Sequence, residues 1–430
     1  MMRIKNFINE EAYGGILLII TTIIALIWAN SSFYESYHYI WHEFQFGFTW
    51  GDLELVESLH YWINDGLMAI FFFVIGLEIK REIMGGELSS FKKASLPIAA
   101  AIGGMIIPAI FYAIVTINYP EYLNGWGVPM ATDIAFALGL MALLGKRVHI
   151  NLKIFLTALA IADDLGAVMV IAVFYTESIN YSELLSGAFF IGILIIANFA
   201  GVRKTSFYAI VGVLGVWMAF LFSGVHATIA GILIALTIPA KTKIKENEYF
   251  KKLSSYLEKF NKEGRTKGSL LTNEQAHLMS KIEDLNKDAQ TPLQKLEHAM
   301  HPIVTYFILP IFALSNAGIH VEGSIVEMVL HPISLGIIFG LVLGKFIGIS
   351  LLSRLVVKMK LATLPEGVTW NQIYGVAFLA GIGFTMSIFI SELAFNDEEH
   401  KQIAKVGIMA ASAISAVIGM IWLSRSSKKL

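Results

Sequence analysis

Residues 154–176 read IFLTALAIADDLGAVMVIAVFYT, and they give the first indication of the fold. Every residue in it is uncharged except Asp163 and Asp164, which lie near its middle. A helix needs about 20 apolar residues to cross the roughly 30 Å hydrocarbon core of a bilayer. The stretch therefore has the length of a membrane span, and it carries two adjacent carboxylates near its centre.

The composition extends this interpretation to the whole chain of 430 residues. Hydrophobic residues make up 56% of it and charged residues 15%, whereas about 25% of the residues of an ordinary soluble protein are charged. So little charge cannot cover a water-facing surface, which excludes a soluble enzyme and a nucleic-acid-binding protein. The chain has no cysteine, which excludes a disulfide scaffold and a cysteine-ligated metal centre. We infer a polytopic membrane protein.

Further apolar segments predict the number of spans. Uncharged runs give eight spans, because the longest run is divided in two by Ser223 and Gly224; the runs are 12–34, 94–120, 184–202, 205–240, 299–321, 367–391 and 406–424. Four more segments qualify if one or two charges are tolerated, namely 59–80, 122–145, 154–176 and 328–353. We therefore predict an all-α polytopic membrane protein with twelve transmembrane helices and both termini on one side.

The distribution of basic residues orients these spans. Of the 32 Lys and Arg residues, 29 lie at the termini or in even-numbered connections, whereas the odd-numbered connections contain only Lys401 and Lys405. Lys345 is expected to be the one basic residue inside a span. Since short cytoplasmic loops collect Lys and Arg, both termini are predicted to be cytoplasmic. The alternative for the N-terminus is a signal peptide cleaved near Ala29, but its removal would reverse this charge sorting.

The charge pattern also divides the chain into three parts. Residues 1–240 hold spans one to eight, residues 301–430 hold spans nine to twelve, and residues 241–300 form a cytoplasmic loop with 12 basic and 9 acidic residues. We expect this loop to be a solvated linker with one or two surface helices, and we assign no chemistry to it. In the first outer connection, aromatic residues alternate around Gly47 at 44–50, which predicts a short β-hairpin. The alternative is an aromatic belt at the membrane interface.

The adjacent aspartates are the strongest candidates for a functional site. A charge near the bilayer centre costs at least roughly 2.5–3.5 kcal/mol, so the pair needs a reason to be there. Successive helical residues point about 100° apart, so Asp163 and Asp164 can both border one water-filled funnel. Neighbouring buried carboxylates resist ionisation, so their oxygens can bind either protons or a small hard cation. The alternative is a carboxylate pair locked in structural hydrogen bonds.

Lys345 lies within predicted span ten, where a buried ammonium group needs a carboxylate. Asp163 or Asp164 is the natural partner, although snorkelling of the long side chain toward the interface is the alternative. Glycines recur every four residues around it and predict a flat surface for close helix packing; they are Gly336, Gly340, Gly344 and Gly348. Span twelve carries a matching row of small residues at Gly407, Ala411, Ser415 and Gly419. Span ten is therefore expected to be packed inside the protein.

Two predicted spans carry helix-breaking sequences at corresponding places. Span four contains GWGVPMATD at 125–133, in which Pro129 removes a backbone hydrogen bond, and span eleven contains AGIGFTMS at 380–387. Interrupted helices expose ends with partial charges of either sign. Asp133 near positive ends and Lys345 near negative ends would neutralise them, which is typical of a transport site. The alternative is a pair of ordinary glycine-rich helices with a kink.

A few other polar residues are weaker candidates. His226 follows the break at Ser223 and Gly224 and can titrate near neutral pH, although a plain interfacial histidine is the alternative. Three charged residues form a cluster at the cytoplasmic end of span two: Glu78, Arg81 and Glu82. This cluster either senses pH or anchors the end of the helix.

Six motifs together resemble the NhaA-type sodium/proton antiporters, in the order of that family and across essentially all twelve spans. The motifs are FFVIGLEIKRE at 72–82, PMATDIAF at 129–136, AIADDLG at 160–166, SGVHAT at 223–228, GK at 344–345 and GIGFTMS at 381–387. NhaA-type transporters are known examples of inverted-topology repeats, so the resemblance implies that fold, with interrupted and crossing fourth and eleventh helices. The loop 241–300 is longer and more charged than the family leads us to expect.

The resemblance also implies roles for individual residues. Asp164, with Asp163, is implied as the cation and proton site at the base of a cytoplasmic funnel, and Lys345 as the partner of Asp163. Asp133, with Thr132 beside it, is implied as the charge that compensates the broken helices.

Regulation, partners and location follow from the same resemblance. Glu78, Arg81 and Glu82 match positions associated with pH activation. The family implies electrogenic exchange of Na⁺ or Li⁺ for a larger number of protons, and a homodimer formed through the hairpin of the first outer loop. It also implies a place in the bacterial inner membrane, surrounded by lipid.

The predicted mechanism is alternating access at the aspartate pair, without ATP, a cofactor or enzyme activity. Protons from outside displace Na⁺ or Li⁺, and the site then reorients. An intramembrane aspartyl protease also uses two membrane aspartates, but the adjacent Asp163 and Asp164 cannot flank a peptide bond from two helices, although Asp133 could supply the second. A sodium-coupled solute symporter is the other alternative, for which the sequence offers no obvious organic-solute site.

Overall fold

The computed structural model describes residues 2–50, 53–176, 179–262, 270–320 and 323–426, and these are almost entirely helical. The main helices are α1 (Met2–Ala29), α2 (Tyr34–His38), α3 (Leu59–Gly85), α4 (Phe91–Thr116), α5 (Pro120–Met130), α6 (Ile134–Leu143), α7 (Ile150–Phe174), α8 (Tyr181–Phe199), α9 (Thr205–Ser223), α10 (Ala227–Thr237), α11 (Glu246–Lys262), α12 (Asn273–Ala289), α13 (Pro292–Asn316), α14 (Ile325–Leu330), α15 (Pro332–Lys358), α16 (Trp370–Leu379), α17 (Phe384–Ala394) and α18 (Glu398–Ser426). Short helical turns lie at Tyr39–Glu43 and Gly145–Arg147. The described residues also contain a two-stranded antiparallel sheet of β1 (Gln45–Trp50) and β2 (Leu53–Ser58).

Among the described residues, eight helices are long and apolar enough to cross a bilayer, and the count is ten when each of two bent pairs is taken as one span. Two shorter apolar helices, Tyr13–Ala29 and α10, accompany them. Long apolar segments form helices in a membrane, because lipid offers the backbone no hydrogen-bond partners and a helix satisfies its own. The prediction of an all-helical polytopic membrane protein is confirmed.

The interrupted spans bend where their sequences predict weakness. The angle is 46° between α5 and α6, and 48° between α16 and α17. Pro129 lies at the end of α5, which is a 3₁₀ helix. The helix ends there because proline cannot continue the hydrogen bonding of a helix. Gly381 lies between α16 and α17, and a Cβ atom there would collide with the carbonyl oxygen of Leu341. The second break therefore requires a glycine at this position.

The helices pack in two groups. One group contains α4, α5, α7 and α15–α18, and the other contains α1, α3, α8–α10 and α13. We call the boundary between these groups the seam. Helix α6 continues from α5 and packs against α1 across the seam. The two bent pairs belong to the first group, so the breaks lie on one side of the seam.

The glycine row of α15 packs closely against α4. A Cβ atom at Gly348 would collide with the carbonyl oxygen of Gly103. The matching row of α18 meets a different face of α15, because a Cβ atom at Gly407 would lie 2.8 Å from the Cα atom of Ser334. The four-residue spacing therefore identified a close-packed face, but the two rows are not partners.

The connection predicted to be the first outer one contains the predicted hairpin, which is longer than expected. β1 and β2 pair over 45–58, with Gly47 opposite Val56, so the predicted range 44–50 covers one strand and not the whole hairpin. Gly47 lies within a strand because a Cβ atom there would collide with the backbone of Leu55. Residues 51–52 lie outside the described residues.

The charged loop contains α11 and α12, where one or two surface helices were predicted. Lys243 forms an ion pair with Asp288 at 3.2 Å, beside the start of α11 and the end of α12. Helix α13 then begins at Pro292, inside the segment predicted as a loop. The reason is a local cap, since the hydroxyl of Thr291 accepts a hydrogen bond from the backbone N–H of Gln294.

Candidate functional site

Asp163 and Asp164 lie in the middle of α7, where apolar residues continue the helix on both sides. Both residues are buried, with 1% of their surface exposed. The Oδ2 atom of Asp163 lies 2.5 Å from Nζ of Lys345 on α15, and this lysine is completely buried. The structure thus brings together the aspartate and the lysine that the sequence suggested as partners.

Asp164 has different surroundings from Asp163. Both of its carboxylate oxygens are buried, and neither has a hydrogen-bond partner within the described part of the chain. Its side chain lines a cavity at the seam. Burying a carboxylate without a partner is costly unless a proton or a cation neutralises it. Asp164 is therefore suited to bind an ion and is not held in a structural hydrogen-bonded pair.

Asp133 caps two helices at once. Its Oδ1 atom accepts a hydrogen bond from the backbone N–H of Phe136 at 2.9 Å, in the first turn of α6. Its Oδ2 atom accepts from the backbone N–H of Thr385 at 3.1 Å and from the Thr385 hydroxyl at 2.5 Å, in the first turn of α17. Since helix N-termini carry partial positive charge, one carboxylate compensates both interrupted spans.

Thr132 connects Lys345 with the other side of the second break. The Lys345 ammonium donates to the hydroxyl of Thr132 at 2.9 Å, and this hydroxyl donates to the carbonyl of Ala380 at 2.8 Å. Ala380 directly follows α16, where carbonyl groups carry partial negative charge. The ammonium therefore interacts directly with Asp163 and, through one hydroxyl, with the negative end of α16.

The cavity beside Asp164 extends to a charged mouth. Its polar and charged lining residues are Glu78, Arg81, Asp133, Thr157, Asp164, His301, Thr305 and Thr385. The rest of the lining is largely apolar and comes from α3, α6, α13 and α17. The mouth lies near the C-terminal end of α3, which is the end predicted to be cytoplasmic.

The predicted cluster of Glu78, Arg81 and Glu82 is assembled at this mouth. Arg81 forms an ion pair with Glu82 at 3.0 Å and another with Glu297 of α13. Glu297 is only 5% exposed. Glu82 also accepts a hydrogen bond from the backbone N–H of Glu87 at 2.8 Å. The cluster thus joins the end of α3 to α13 beside the cavity.

His226 lies apart from this cavity. Its Nε2 atom is 2.9 Å from the carbonyl oxygen of Tyr175, just after α7. The hydroxyl of Tyr175 donates in turn to the carbonyl of Asn124 in α5 at 2.7 Å. The structure therefore places His226 beside the C-terminal end of α7 and near the first half of the interrupted span four.

Three residues of the site were not singled out from the sequence. Thr385 lies within the weak stretch of span eleven, but nothing marked its hydroxyl as the partner of Asp133. Glu297 and His301 lie in and beside a segment rich in charges, where an acidic residue or a histidine is unremarkable. The available signal was the sequence Thr291-Pro292, a helix start that places both residues on a helix.

Lys401 and Lys405, which were expected to lie in an outer connection, belong to a helix. α18 begins at Glu398, so both lysines lie in the first turns of the last candidate spanning helix. Lys405 is 4% exposed, and both lysines form ion pairs with Glu392 of α17. These charges looked like loop residues because the sequence does not show how far a helix extends beyond its apolar run.

The arrangement at Asp163 and Asp164 is chemically suited to exchange small ions. Carboxylate oxygens bind protons and hard cations. Within the described residues, no group of three or more His, Asp or Glu side chains is placed to hold a metal ion. One carboxylate is paired with a lysine and its neighbour faces a cavity, which favours transient ion binding.

Comparison with known proteins identifies the family to which the chain belongs. The family model described as Na⁺/H⁺ antiporter 1 matches residues 5–423. A Na⁺/H⁺ antiporter NhaA from Oleidesulfovibrio alaskensis is 49% identical over 96% of this chain and 92% of its own length. Proteins of the same name from Acidithiobacillus ferrooxidans and Helicobacter pylori are each 47% identical, over 99% and 100% of this chain and 98% and 96% of their own lengths. Because the similarity covers nearly the whole chain, this protein belongs to the NhaA family of Na⁺/H⁺ antiporters.

Proposed function

We propose that this protein exports Na⁺ or Li⁺ from the cytoplasm in exchange for external protons. The family consists of transporters, so the protein is a transporter and not an enzyme. The observation that carries the proposal is the state of Asp164, which is buried, faces the cavity and has no hydrogen-bond partner among the described residues. A carboxylate so placed can bind a proton or a cation, but not both together.

Competition at Asp164 couples the two ions without ATP or a cofactor. A proton arriving from outside neutralises the carboxylate and removes the charge that holds Na⁺. When the site faces the cytoplasm, the proton leaves through the cavity and Na⁺ takes its place. Asp133 supports this cycle because it holds the starts of α6 and α17 together beside the site.

We propose that each cycle moves more protons than sodium ions. Two carboxylates and one amine lie together at the site, since Asp163 and Lys345 are 2.5 Å apart and Asp164 is the next residue. A single Na⁺ bound between the carboxylates would compete both with the proton of Asp164 and with the ammonium of Lys345. Such a site can release more than one proton for each cation, which makes the exchange electrogenic.

The proposed topology has twelve spans with inverted repeats and cytoplasmic termini. It counts each bent pair as one span and includes the shorter helices Tyr13–Ala29 and α10. The bent pairs α5/α6 and α16/α17 support the repeats, because they lie at corresponding places of the two halves. We further propose that the β1–β2 hairpin, with its exposed Phe46, joins two copies in the bacterial inner membrane.

We also propose that the cluster at the mouth of the cavity makes the exchange depend on cytoplasmic pH. Glu78 and Arg81 line the cavity, and Arg81 links Glu82 with Glu297. Charged side chains at the mouth of the cavity act electrostatically on every ion that enters it. His226 is a separate candidate for pH sensing, on the outer side.

Transport in everted membrane vesicles tests the proposal. Addition of Na⁺ or Li⁺ should collapse a preformed ΔpH in vesicles that contain the wild-type protein, and Asp164→Asn should abolish the response. Asp284→Asn is the matched control, because it makes the same chemical change at an exposed position of α12. Full exchange by Asp164→Asn would end the proposal. Solute uptake driven by Na⁺, without a ΔpH response, would instead indicate a symporter.

A further inference from the structure

The seam is closed toward the outer side by a layer of aromatic side chains. The ring of Phe389 on α17 lies 5.5 Å from that of Phe72 on α3 and 6.4 Å from that of Phe312 on α13, centroid to centroid. All three residues are buried. Phe312 lies one turn or less beyond Leu309 on α13, and Phe389 lies one turn or less beyond Met386 on α17. Both Leu309 and Met386 line the cavity. The cavity therefore ends against this layer.

A second, charged layer lies one turn further out, around Glu392. Its Oε1 atom is 2.7 Å from Nζ of Lys405, and its Oε2 atom is 3.4 Å from Nζ of Lys401. Oε2 also lies 3.6 Å from Nε2 of His60, at the start of α3. The side chains of Glu392 and His60 are 8% and 15% exposed. A carboxylate is thus held among three basic side chains near the outer end of the seam.

The partners of Glu392 come from both sides of the seam. Lys401 and Lys405 lie on α18, in the same helix group as α17. His60 lies on α3, in the other group. Its Nδ1 atom is 3.2 Å from the hydroxyl of Ser315, and its Nε2 atom, which faces Glu392, is also 2.9 Å from Nδ2 of Asn64. The lysines compensate the charge of Glu392 within one group, whereas the contact with His60 crosses between the groups.

Helix α17 connects this charged layer with the ion site. Thr385 in its first turn binds Asp133, and Glu392 follows seven residues later, at a distance of about 10 Å along the helix. Near its middle, Phe389 belongs to the aromatic layer. One short helix therefore carries a contact to the helix break, the aromatic barrier and the charged layer.

The neighbouring His42 does not add a charge to this layer. Its ring lies 4.6 Å from that of His60. Burial, together with the nearby His60 and Lys405, lowers the pKa of His42 to about 3. His42 is therefore neutral at physiological pH, and the contact across the seam in this layer is the one between Glu392 and His60.

We propose that Glu392 is a positioning residue which, through its contact with His60, holds the outer end of the seam closed while the ion site faces the cytoplasm. The proposal rests on the alternating access of the proposed function. When the two groups part on the outer side, Glu392 keeps its lysines and loses His60. The contact between Glu392 and His60 thus sets the balance between the inward-facing and outward-facing states.

A single cysteine reporter can test this balance, because the chain has no cysteine of its own. Leu309→Cys places a thiol at the inner end of the cavity, one turn or less from the aromatic layer, where opening of either face should expose it. A membrane-impermeant maleimide is added to right-side-out vesicles or to everted vesicles, so that the same thiol is labelled from either face. The ratio of the outer to the cytoplasmic labelling rate reports which face is open.

His60→Leu is the decisive variant, because it removes the contact across the seam and leaves Glu392 with both lysines. We expect the labelling ratio to rise roughly tenfold, which equals a shift of about 1.4 kcal/mol in the equilibrium between the two states. The rise should combine faster labelling from outside with slower labelling from the cytoplasm. Glu392→Gln should act in the same direction, and Glu392→Asp, which keeps the charge but shortens the side chain by one methylene group, should lie between Glu392→Gln and the parent.

Glu43→Gln is the matched control, since Glu43 is an exposed acid of the same outer region that pairs with His38. Its labelling ratio should equal that of the parent. An unchanged ratio in His60→Leu would overturn the proposal, as would an equal rise from both faces, which indicates general loosening. If Glu392→Gln does not fold, His60→Leu alone decides. Labelling needs no Na⁺, so it tests this proposal independently of ion exchange. Failure of the proposed function would appear in the vesicle experiment, as Na⁺/H⁺ exchange by Asp164→Asn.

Discussion

Asp133 and Thr385 are 252 positions apart in the chain, yet the carboxylate of the first accepts both the backbone N–H and the hydroxyl of the second. The same carboxylate accepts the N–H of Phe136, so the two interrupted spans start again from one shared anion. This arrangement fixes both breaks beside the cavity that Asp164 lines. The helix breaks are therefore a rigid part of the site.

Removing the shared cap should destabilise the protein more than removing one of its donors. Thr385→Val deletes the hydroxyl donor but keeps the backbone N–H, so we expect a loss of about 1 kcal/mol. Asp133→Ala deletes the cap of both helices, so we expect about 2–4 kcal/mol. Thermal unfolding of the purified variants in detergent provides the comparison. Equal shifts in apparent Tm would show that Asp133 does not serve both helices.

The ion pair between Lys345 and Asp163 should matter more when one partner is removed than when both are. Lys345→Met leaves a buried carboxylate without its cation, which costs about 3–5 kcal/mol, whereas the double variant Asp163→Asn/Lys345→Met leaves no uncompensated charge. We expect a low apparent Tm for the single variant and substantial recovery for the double one. Neither should exchange Na⁺ for protons. A single variant as stable as the wild type would contradict the pairing.

Glu297 should set the pH range of exchange through Arg81. In Glu297→Gln, Arg81 loses its buried partner, and the mouth of the cavity loses one negative charge. The potential at the mouth becomes more positive and repels protons, so the midpoint of activity should move to lower pH by about one unit. The measurement is the Na⁺-induced change in ΔpH between pH 6 and 9. Glu283→Gln, at an exposed position of α12, should keep the wild-type profile; the same shift in that control would argue against a local effect.

Close contact between α4 and α15 should make Gly348 intolerant of a side chain. Gly348→Ala would press a methyl group against the carbonyl oxygen of Gly103, and we expect a loss of about 1–3 kcal/mol. Gly192 in α8 is the control, since a Cβ atom there meets nothing within 4 Å among the described residues. Gly192→Ala should leave the free energy of unfolding unchanged or raise it by up to about 1 kcal/mol. The apparent Tm should accordingly be equal to that of the wild type or higher. A stable Gly348→Ala would mean that the two helices are further apart.

Much of the site could be predicted because charges are rare in the membrane. Asp133, Asp163, Asp164 and Lys345 each stood out against an apolar background, and the opposite charge of Lys345 indicated its partner. The helix breaks were visible as Pro129 and the glycines of span eleven. Composition and spacing were sufficient wherever the signal lay within one segment.

Contacts between distant segments could not be predicted in the same way. Glu297 and Glu392 lie next to segment ends, where charged residues are common, so neither residue indicated its basic partner. The row containing Gly348 showed a close-packed face without showing that Gly103 lies opposite. The hairpin was recognised from the aromatic residues of one strand, but Gly47 was taken for its centre. The true pairing partner of this strand follows it in the chain, beyond the predicted range.

Competition between Na⁺ and protons for Asp164 should appear as proton release from the purified protein. Addition of Na⁺ to the wild-type protein in weakly buffered detergent solution should release protons, whereas addition of K⁺ at the same concentration should not. Asp164→Asn should release none with Na⁺, while Asp284→Asn should respond like the wild type. Undiminished proton release from Asp164→Asn would contradict the claim.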